Sequence, residues 1–395
     1  MSEGPAIAQA PPKKKIAIFL DGTWNAIDDN TNVWRLKSLV APKDNDDALQ
    51  PTYYEIGVNG FWGGLFGKGV SRTLTDAYEW LVDHYNPGDD IFIFGFSRGA
   101  YTARSLAGYI AKCGLLKAGG SLGVKQLYKR YRRPDDKTIW TLLDEHAAGA
   151  VQDHTPEERC MLKYSMAVRI KFVGVWDSVG ELGIPAFSIP GVSRSTLGFL
   201  HTGLRLPIEN GYHALAVDEH RRTFAPTLWT VRKPNDPQAK MAPPRSIANV
   251  EQRWFVGAHA NIGGGYETDL LAQLPLRWLM RKASTHGLAF RNDVEVDGDH
   301  LKAEIADSYR EFMYGIYRWV SPPYYRPIGA RPVEKDDGTH CNVNESIDKS
   351  VFDRWTTIPN YRPTNLAAWA RRHHVEISTL KGSVFADDPT IAAAD

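Results

Sequence analysis

The amino-acid sequence predicts an α/β fold: a mostly parallel sheet with helices on both faces. Three observations lead there. Residues 16–20 (IAIFL) and 91–94 (IFIF) are continuous apolar runs, the pattern of strands covered on both sides rather than of strands with one wet face. Segments of helical periodicity separate these runs from further strand-like stretches. Each apolar run gives way to a loop or turn built around Asp, Gly or Ser.

The elements follow in order. Residues 1–14 are rich in Ala and Pro and end in lysines, and read as a disordered tail. The strand at 16–20 runs into Asp21-Gly22-Thr23-Trp24-Asn25. Thr31 is placed to cap a helix reaching Leu39. A second strand spans 53–58, and a loop with glycines at 60, 63, 64, 67 and 69 follows it. Helical periodicity resumes near Thr73. After the turn Pro87-Gly88-Asp89 comes the strand at 91–94, then Gly95-Phe96-Ser97-Arg98-Gly99, then a helix to Cys113 that Gly114 terminates. Residues 120–165 read as helical and 168–176 as another apolar strand with Asp177 at its end. The pattern breaks up over 182–250, with one helical piece at 212–221. A short strand at 254–258 precedes His259, a helix runs from Thr268 or Asp269 to about Gly287, and 299–319 again looks helical. The last ~70 residues are irregular, a reading based on their Pro and Arg content. This divides the chain into the tail 1–14, an α/β core over 15–287 with an insertion at 182–250 over the carboxyl edge of the sheet, where such folds place their sites, and a C-terminal extension, 288–395, packed on the core.

Composition narrows the function classes. The 395 residues are 43% hydrophobic and 24% charged, and 47 basic against 46 acidic residues leave a net charge of +1. That balance argues against a dedicated nucleic-acid surface and fits an uncharged or amphiphilic substrate. Three cysteines, far apart, offer neither a disulfide framework nor zinc-ligand spacing. No run approaches the ~18 apolar residues of a membrane span. Residues 1–12 lack the basic and apolar regions of a signal peptide. The expected setting is the cytoplasm, or export by a route needing no cleaved signal, with no metal or cofactor.

Gly95-Phe96-Ser97-Arg98-Gly99 carries the chemistry. G-x-S-x-G is short enough to arise by chance, but here a buried strand precedes it and a helix follows, the strand–turn–helix of a nucleophile elbow. The flanking glycines are needed because a Cβ there would strike the neighbouring strand or helix. Ser97 is thus the candidate nucleophile, at a helix N-terminus that favours a developing anion. A serine needs a base, and open α/β sheets build their sites beyond the carboxyl ends of their strands. Asp177 and His259 each follow a later strand, in the chain order Ser, Asp, His. Asp218 and Asp269 are weaker rivals for the acid, and His213 is the first alternative base. Arg98, through its backbone N–H, and Gly22 or Thr23, at the end of the first strand, are candidate oxyanion donors; the competing reading of that loop is a tight turn held by Asp21. Gly67-Lys68 fails the phosphate-loop pattern, since Trp62 and Gly69 stand where Gly and Ser or Thr are required. His213 and His220 lack any companion metal ligand.

Asp21 to Asn25 (DGTWN), Gly95 to Arg104 (GFSRGAYTAR), Val175 to Gly180 (VWDSVG) and Trp254 to Tyr266 (WFVGAHANIGGGY) occur in one order. With them the chain resembles the α/β-hydrolase family whose best-known members are the phospholipase effectors of type VI secretion systems. The resemblance runs from about Lys15 to Tyr266, with a weaker echo at Val351-Phe352-Asp353-Arg354 and Tyr361-Arg362-Pro363. It implies a Ser–Asp–His triad at Ser97, Asp177 and His259 and metal-independent hydrolysis of esters or phospholipids.

The expectation is therefore a serine esterase or lipase acting on an ester or lipid small molecule, with at most transient membrane contact. The alternatives are a secreted phospholipase effector and a binding module that has kept a hydrolase fold. Phe61, Trp62 and Phe66, with apolar residues of 182–200, are the candidate acyl-binding residues; the competing reading is that they pack on the core.

Overall fold

The computed structural model describes residues 13–23, 30–57, 63–133, 135–150, 153–179, 207–233, 246–266, 270–296, 298–311, 319, 321–335 and 338–393. Its centre is an eight-stranded sheet. In chain order the strands are β1 (Lys15–Thr23), β2 (Thr52–Gly57), β3 (Asp90–Phe96), β4 (Ile170–Trp176), β5 (Ile208–Ala216), β6 (Val250–Phe255), β7 (Glu345–Ile347) and β8 (Val384–Phe385). Across the sheet they stand in the order β2-β1-β3-β4-β5-β6-β7-β8, all parallel except β8. The chain leaves β1 toward β2 and returns on the other side to form β3. The carboxyl ends of β1 and β3 therefore flank the topological switch point, where open α/β sheets bind their ligands.

Alternation along the strands builds two cores. Ile16, Ile18, Leu20, Ile91, Ile93, Val173 and Val175 face the helices Gly63–His84 and Arg98–Cys113. Ala17, Phe19, Phe92, Phe94, Phe172 and Tyr212 face the helices Asn32–Leu39 and Gln273–Thr285. On this second face Phe19, Phe94, Phe172 and Tyr212 form a file of rings across β1, β3, β4 and β5, with successive centroids 4.9, 5.4 and 5.2 Å apart. Burying each such ring contributes roughly 1.5–3 kcal/mol, so this file ties together four central strands, among them β3 and β4, which end at Ser97 and Asp177. A third core, Leu215, Val217, Trp254, Val256 and Ile347, is covered by the helices Lys349–Thr357 and Thr364–His373 through Val351, Phe352, Leu366 and Trp369.

Several helix boundaries follow local signals. Thr31 caps its helix by accepting from the Trp34 N–H, and Gly114 ends another with φ 72°. Other expectations are corrected. Residues 208–216 are a central strand, so 182–250 is not one insertion over the active site; 180–206 and 234–245 lie outside the described residues. The predicted helix at 212–221 is the second half of that strand and the turn beyond it. The glycine-rich stretch is helical from Gly63 onward. Of 299–319, only the short turns Gly298–Leu301 and Ser308–Glu311 are helical among the described residues through 311. The C-terminal extension is not merely packed on the core, because it contributes β7 and β8 to the sheet. Of the predicted tail, 1–12 lie outside the described residues, whereas Lys13 and Lys14 bind Asp90 and Asp89 at 2.7 and 3.2 Å.

Candidate active site

Register brings three loop residues to one edge of the sheet. Phe96 pairs with Trp176, Trp176 with Ala214, and Ala216 with Phe255. Ser97, Asp177 and His259 each follow the end of one of these strands. Their side chains meet: His259 Nε2 lies 2.8 Å from Ser97 Oγ, and His259 Nδ1 lies 2.5 Å from Asp177 Oδ2. A carboxylate only accepts, so Nδ1 carries the proton and Nε2 accepts from the serine hydroxyl.

The local backbone is tight. Ser97 has φ 57° and ψ −121°, and Asp177 has φ 38°, both outside the regions comfortable for residues with a Cβ. Such conformations cost on the order of 1–3 kcal/mol each and persist where the surroundings over-determine them. At Ser97 the surroundings are the two glycines. A Cβ on Gly95 would stand 2.5 Å from the Gly99 carbonyl oxygen, and a Cβ on Gly99 would stand 2.1 Å from that of Leu20. The helix Arg98–Cys113 thus packs its first turn directly on β1.

His259 opens the short helix His259–Gly263 and is held between two rings. Phe96 lies 4.8 Å away and tilted, and Phe224 lies 4.9 Å away edge-on. Its backbone N–H donates to Glu219 Oε2 at 3.2 Å, and Glu219 is itself bound by Arg221 at 2.8 Å. Burial alone would raise the Glu219 carboxyl, but Arg221 outweighs it and holds it at about 2. Burial pulls the His259 imidazole below its ordinary value, against the opposing pull of Asp177. Burial would raise Asp177, but the Arg326 guanidinium and His259 overcome it and hold the carboxyl well below the usual range.

Asp177 shows what sequence reasoning missed. Arg326, from the C-terminal extension, donates through Nη1 to Asp177 Oδ1 at 2.6 Å and through Nη2 to Oδ2 at 2.9 Å. It sits in a proline-rich stretch with no motif around it, and only three-dimensional packing identifies it.

The oxyanion candidates divide. Arg98 directly follows Ser97 as the first residue of its helix. The Gly22 N–H donates to Asp21 Oδ1 at 2.7 Å, and Asp21 also accepts from Thr31 and Tyr54. The Asp21-stabilised turn therefore accounts for Gly22, and the Thr23 backbone remains the donor candidate from β1. Phe61 and Trp62 lie outside the described residues, as does the side chain of Phe66. His213 is structural: its Nε2 accepts from the Ser178 N–H at 3.0 Å, and burial, followed by Arg104, brings its pKa down to about 3. Asp218 follows β5 and binds the Gly257 N–H and the Tyr361 hydroxyl rather than a histidine; Asp269 lies outside the described residues. A cavity of about 700 Å³ is lined by residues of the helix Gln273–Thr285, Trp278 among them, and by Tyr212 and His286, and none of Ser97, Asp177 and His259 borders it. Among the described residues no helix is long and apolar enough to cross a membrane.

The chain matches the family model for the catalytic domain of Tle1-like phospholipase effectors of type VI secretion systems over residues 14–282. It is 28% identical over 246 residues to the uncharacterized protein YEL023C of Saccharomyces cerevisiae, covering 55% of this chain and 33% of that protein. Similar solved structures include an uncharacterized protein from Pseudomonas aeruginosa (16% identity, TM-score 0.40, 72% of this chain and 47% of the other). Another is the Tle1 effector bound to the VgrG spike of the type 6 secretion system (18% identity, TM-score 0.32, 67% and 56%). The chain thus spans about a third of the yeast relative and about half of each of these structures.

Proposed function

From the premise that this chain belongs to the family of Tle1-like phospholipase effector catalytic domains, we propose that it is a serine hydrolase cleaving carboxylic esters of lipids, phospholipids foremost. The observation that carries this reading is the unbroken line from Ser97 Oγ through His259 to Asp177, at 2.8 and 2.5 Å. In the reaction, Ser97 Oγ forms a bond to the acyl carbonyl carbon while its proton passes to His259 Nε2. Asp177 holds Nδ1–H and stabilises the imidazolium. The Arg98 N–H and the Thr23 N–H receive the oxyanion. Collapse breaks the bond to the leaving alcohol, which takes the proton from Nε2. Water then adds to the acyl-enzyme, giving a proton to Nε2, and that proton returns to Ser97 Oγ as the fatty acid leaves.

Family membership favours delivery through a type VI secretion system, and the catalytic reading does not depend on it. Phe61, Trp62 and Phe66, with the apolar stretch 182–200, are proposed to hold the acyl chain. Replacing the three aromatics by Ser is expected to lower turnover of long-chain esters far more than of acetate esters. Equal losses on both would assign them to the fold.

The deciding experiment is fluorophosphonate labelling of the purified chain, paired with fatty-acid release from phospholipid vesicles and from p-nitrophenyl esters. Labelling and release that both vanish in Ser97→Ala are expected. An unlabelled wild-type chain, or labelling that survives in Ser97→Ala, would refute the assignment; a binding module that kept the fold would behave in the first of these ways.

A further inference from the structure

We propose that Arg326 is a positioning residue of this active site, whose guanidinium fixes the Asp177 carboxylate in the orientation that receives the His259 N–H. The inference rests on the triad reading above and adds to it a residue from outside the segment, 14–282, that the family model matches.

Four donors surround the carboxylate. Oδ1 accepts from the Ala216 N–H at 3.1 Å and from Arg326 Nη1 at 2.6 Å; Oδ2 accepts from His259 Nδ1 at 2.5 Å and from Arg326 Nη2 at 2.9 Å. Ala216 and His259 each hold one oxygen, and these two separate bonds restrain the twist of the carboxylate about its Cβ–Cγ bond less sharply than a planar partner does. The planar two-pronged guanidinium removes the remaining freedom, because it fits only when both oxygens lie in its plane. The guanidinium is itself oriented, with Nη1 donating to the Ala216 carbonyl at 3.1 Å and Nη2 to the Phe224 carbonyl at 2.6 Å. Its chain is anchored on both sides, by the Tyr324 N–H on the His220 carbonyl and by Ile328 in the third core. Both Arg326 and Asp177 are fully buried. A buried ion pair is a poor source of stability, so its place directly behind the histidine calls for a reason in the chemistry. A lysine would supply the charge without the two-pronged geometry.

The pair also sets the charge that His259 meets. The groups facing the imidazole are Asp177 with Arg326, Glu219 with Arg221, the rings of Phe96 and Phe224, and Ser97. Deeper behind Asp177 stand neutral His213 and Arg104. Glu219 is matched by Arg221, and Asp177 by Arg326. Removing the Arg326 guanidinium leaves one unmatched negative charge at hydrogen-bond distance from Nδ1, which favours the imidazolium and makes the base titrate at higher pH.

The test is the pH profile of kcat/KM on a soluble short-chain p-nitrophenyl ester for wild type, Arg326→Met, Arg326→Lys and the Asp177→Asn/Arg326→Met double variant. Arg326→Met is expected to lose roughly 10²-fold in kcat, the scale of a small misplacement of a catalytic group, with KM little changed and the acid limb moved to higher pH. Arg326→Lys is expected to recover part of the rate, and Arg326→Met to cost little more once Asp177 is Asn. Wild-type kcat and an unmoved acid limb in Arg326→Met would overturn the proposal. Should Arg326→Met fail to fold, Arg326→Lys decides alone: an unchanged rate with unchanged circular dichroism overturns it. Loss of fluorophosphonate labelling in Ser97→Ala, checked in parallel, separates failure of this inference from failure of the triad reading.

Discussion

At the scale of single residues, the site is a chain of opposed demands on charge. Burial works against both ionised Asp177 and protonated His259, and the contacts decide each outcome differently. Asp177 stays ionised because a guanidinium and an imidazole both bind it. His259 stays neutral because burial prevails over a carboxylate already shared with Arg326. In the proposed mechanism His259 must be neutral to accept the serine proton, so activity is expected to rise as pH climbs through the His259 pKa. That value lies below the ordinary 6.5. The acid limb of kcat/KM is therefore expected to centre below pH 6.5, with full activity near neutrality; a midpoint above 7 would contradict the assigned environment. Ser97→Ala and His259→Ala are each expected to lower kcat on the order of 10⁴- to 10⁶-fold, and the double variant no further, because residues acting as a unit do not give multiplying losses. Steady-state ester hydrolysis measures all three, and multiplying losses would mean that the two residues act separately.

At the scale of elements, what the sequence makes legible is what one segment decides by itself. The elbow is one strand, one turn and one helix; Gly95 has a local reason in the Gly99 carbonyl, while other glycines at the site answer to distant segments. A Cβ at Gly99 would meet the backbone of β1, which cannot give way, and one at Gly263 would stand 2.0 Å from the Phe96 ring. Gly99→Ala and Gly263→Ala are accordingly expected to cost about 1–3 kcal/mol each, as overpacking does, and to slow fluorophosphonate labelling. Gly298→Ala, which meets open space, is expected to do neither. Urea midpoints and labelling rates report both effects, and equal behaviour of the three variants would mean that the close approaches do not govern the site. Asp177 and His259 are legible for a related reason, since each directly follows an apolar run. β5 is not legible, because Asn210 and His213 interrupt its apolar pattern and imitate a helix with one polar face. Within the sheet their polar atoms are satisfied across strands, Asn210 by the Lys171 carbonyl and Asn249, His213 by the Ser178 N–H. Arg326 is hidden more deeply, because its partner lies 149 residues earlier in the chain and nothing in its own neighbourhood marks it.

At the scale of the whole molecule, the C-terminal extension, which also supplies β7 and β8, meets the carboxyl ends of β5 and β6 beside the site, and Asp218 is one joint there. Its carboxylate accepts the Gly257 N–H at 2.8 Å, two residues before His259, and the Tyr361 hydroxyl at 3.2 Å from the extension. Asn365 adds a bond to the neighbouring Val217 carbonyl at 2.9 Å. Burial, only partly offset by these donors, raises Asp218 to about 6 from 3.8. The folded chain then holds a proton that the unfolded chain has already released between those two values. Stability from this group therefore falls as pH rises from about 4 to about 6 and stays level above, a cost of about 3 kcal/mol at neutral pH. Asp177 and Glu219 act in the opposite sense: their stabilisation is present above their unfolded values and is lost as pH falls through their lowered folded ones. These opposing groups cancel when wild type is compared with Asp218→Asn. The Gly257 N–H and the Tyr361 hydroxyl both bind Oδ2, so an amide oxygen in its place keeps both bonds, and the amide carries no charge to bury. The stability of Asp218→Asn relative to wild type is expected to grow between pH 4 and pH 6, by on the order of 3 kcal/mol, and then to hold constant to pH 8. Urea unfolding at several pH values measures it directly. A difference independent of pH would mean that Asp218 is not ionised at a cost in the folded chain, and that the joint is held by packing rather than by this buried carboxylate.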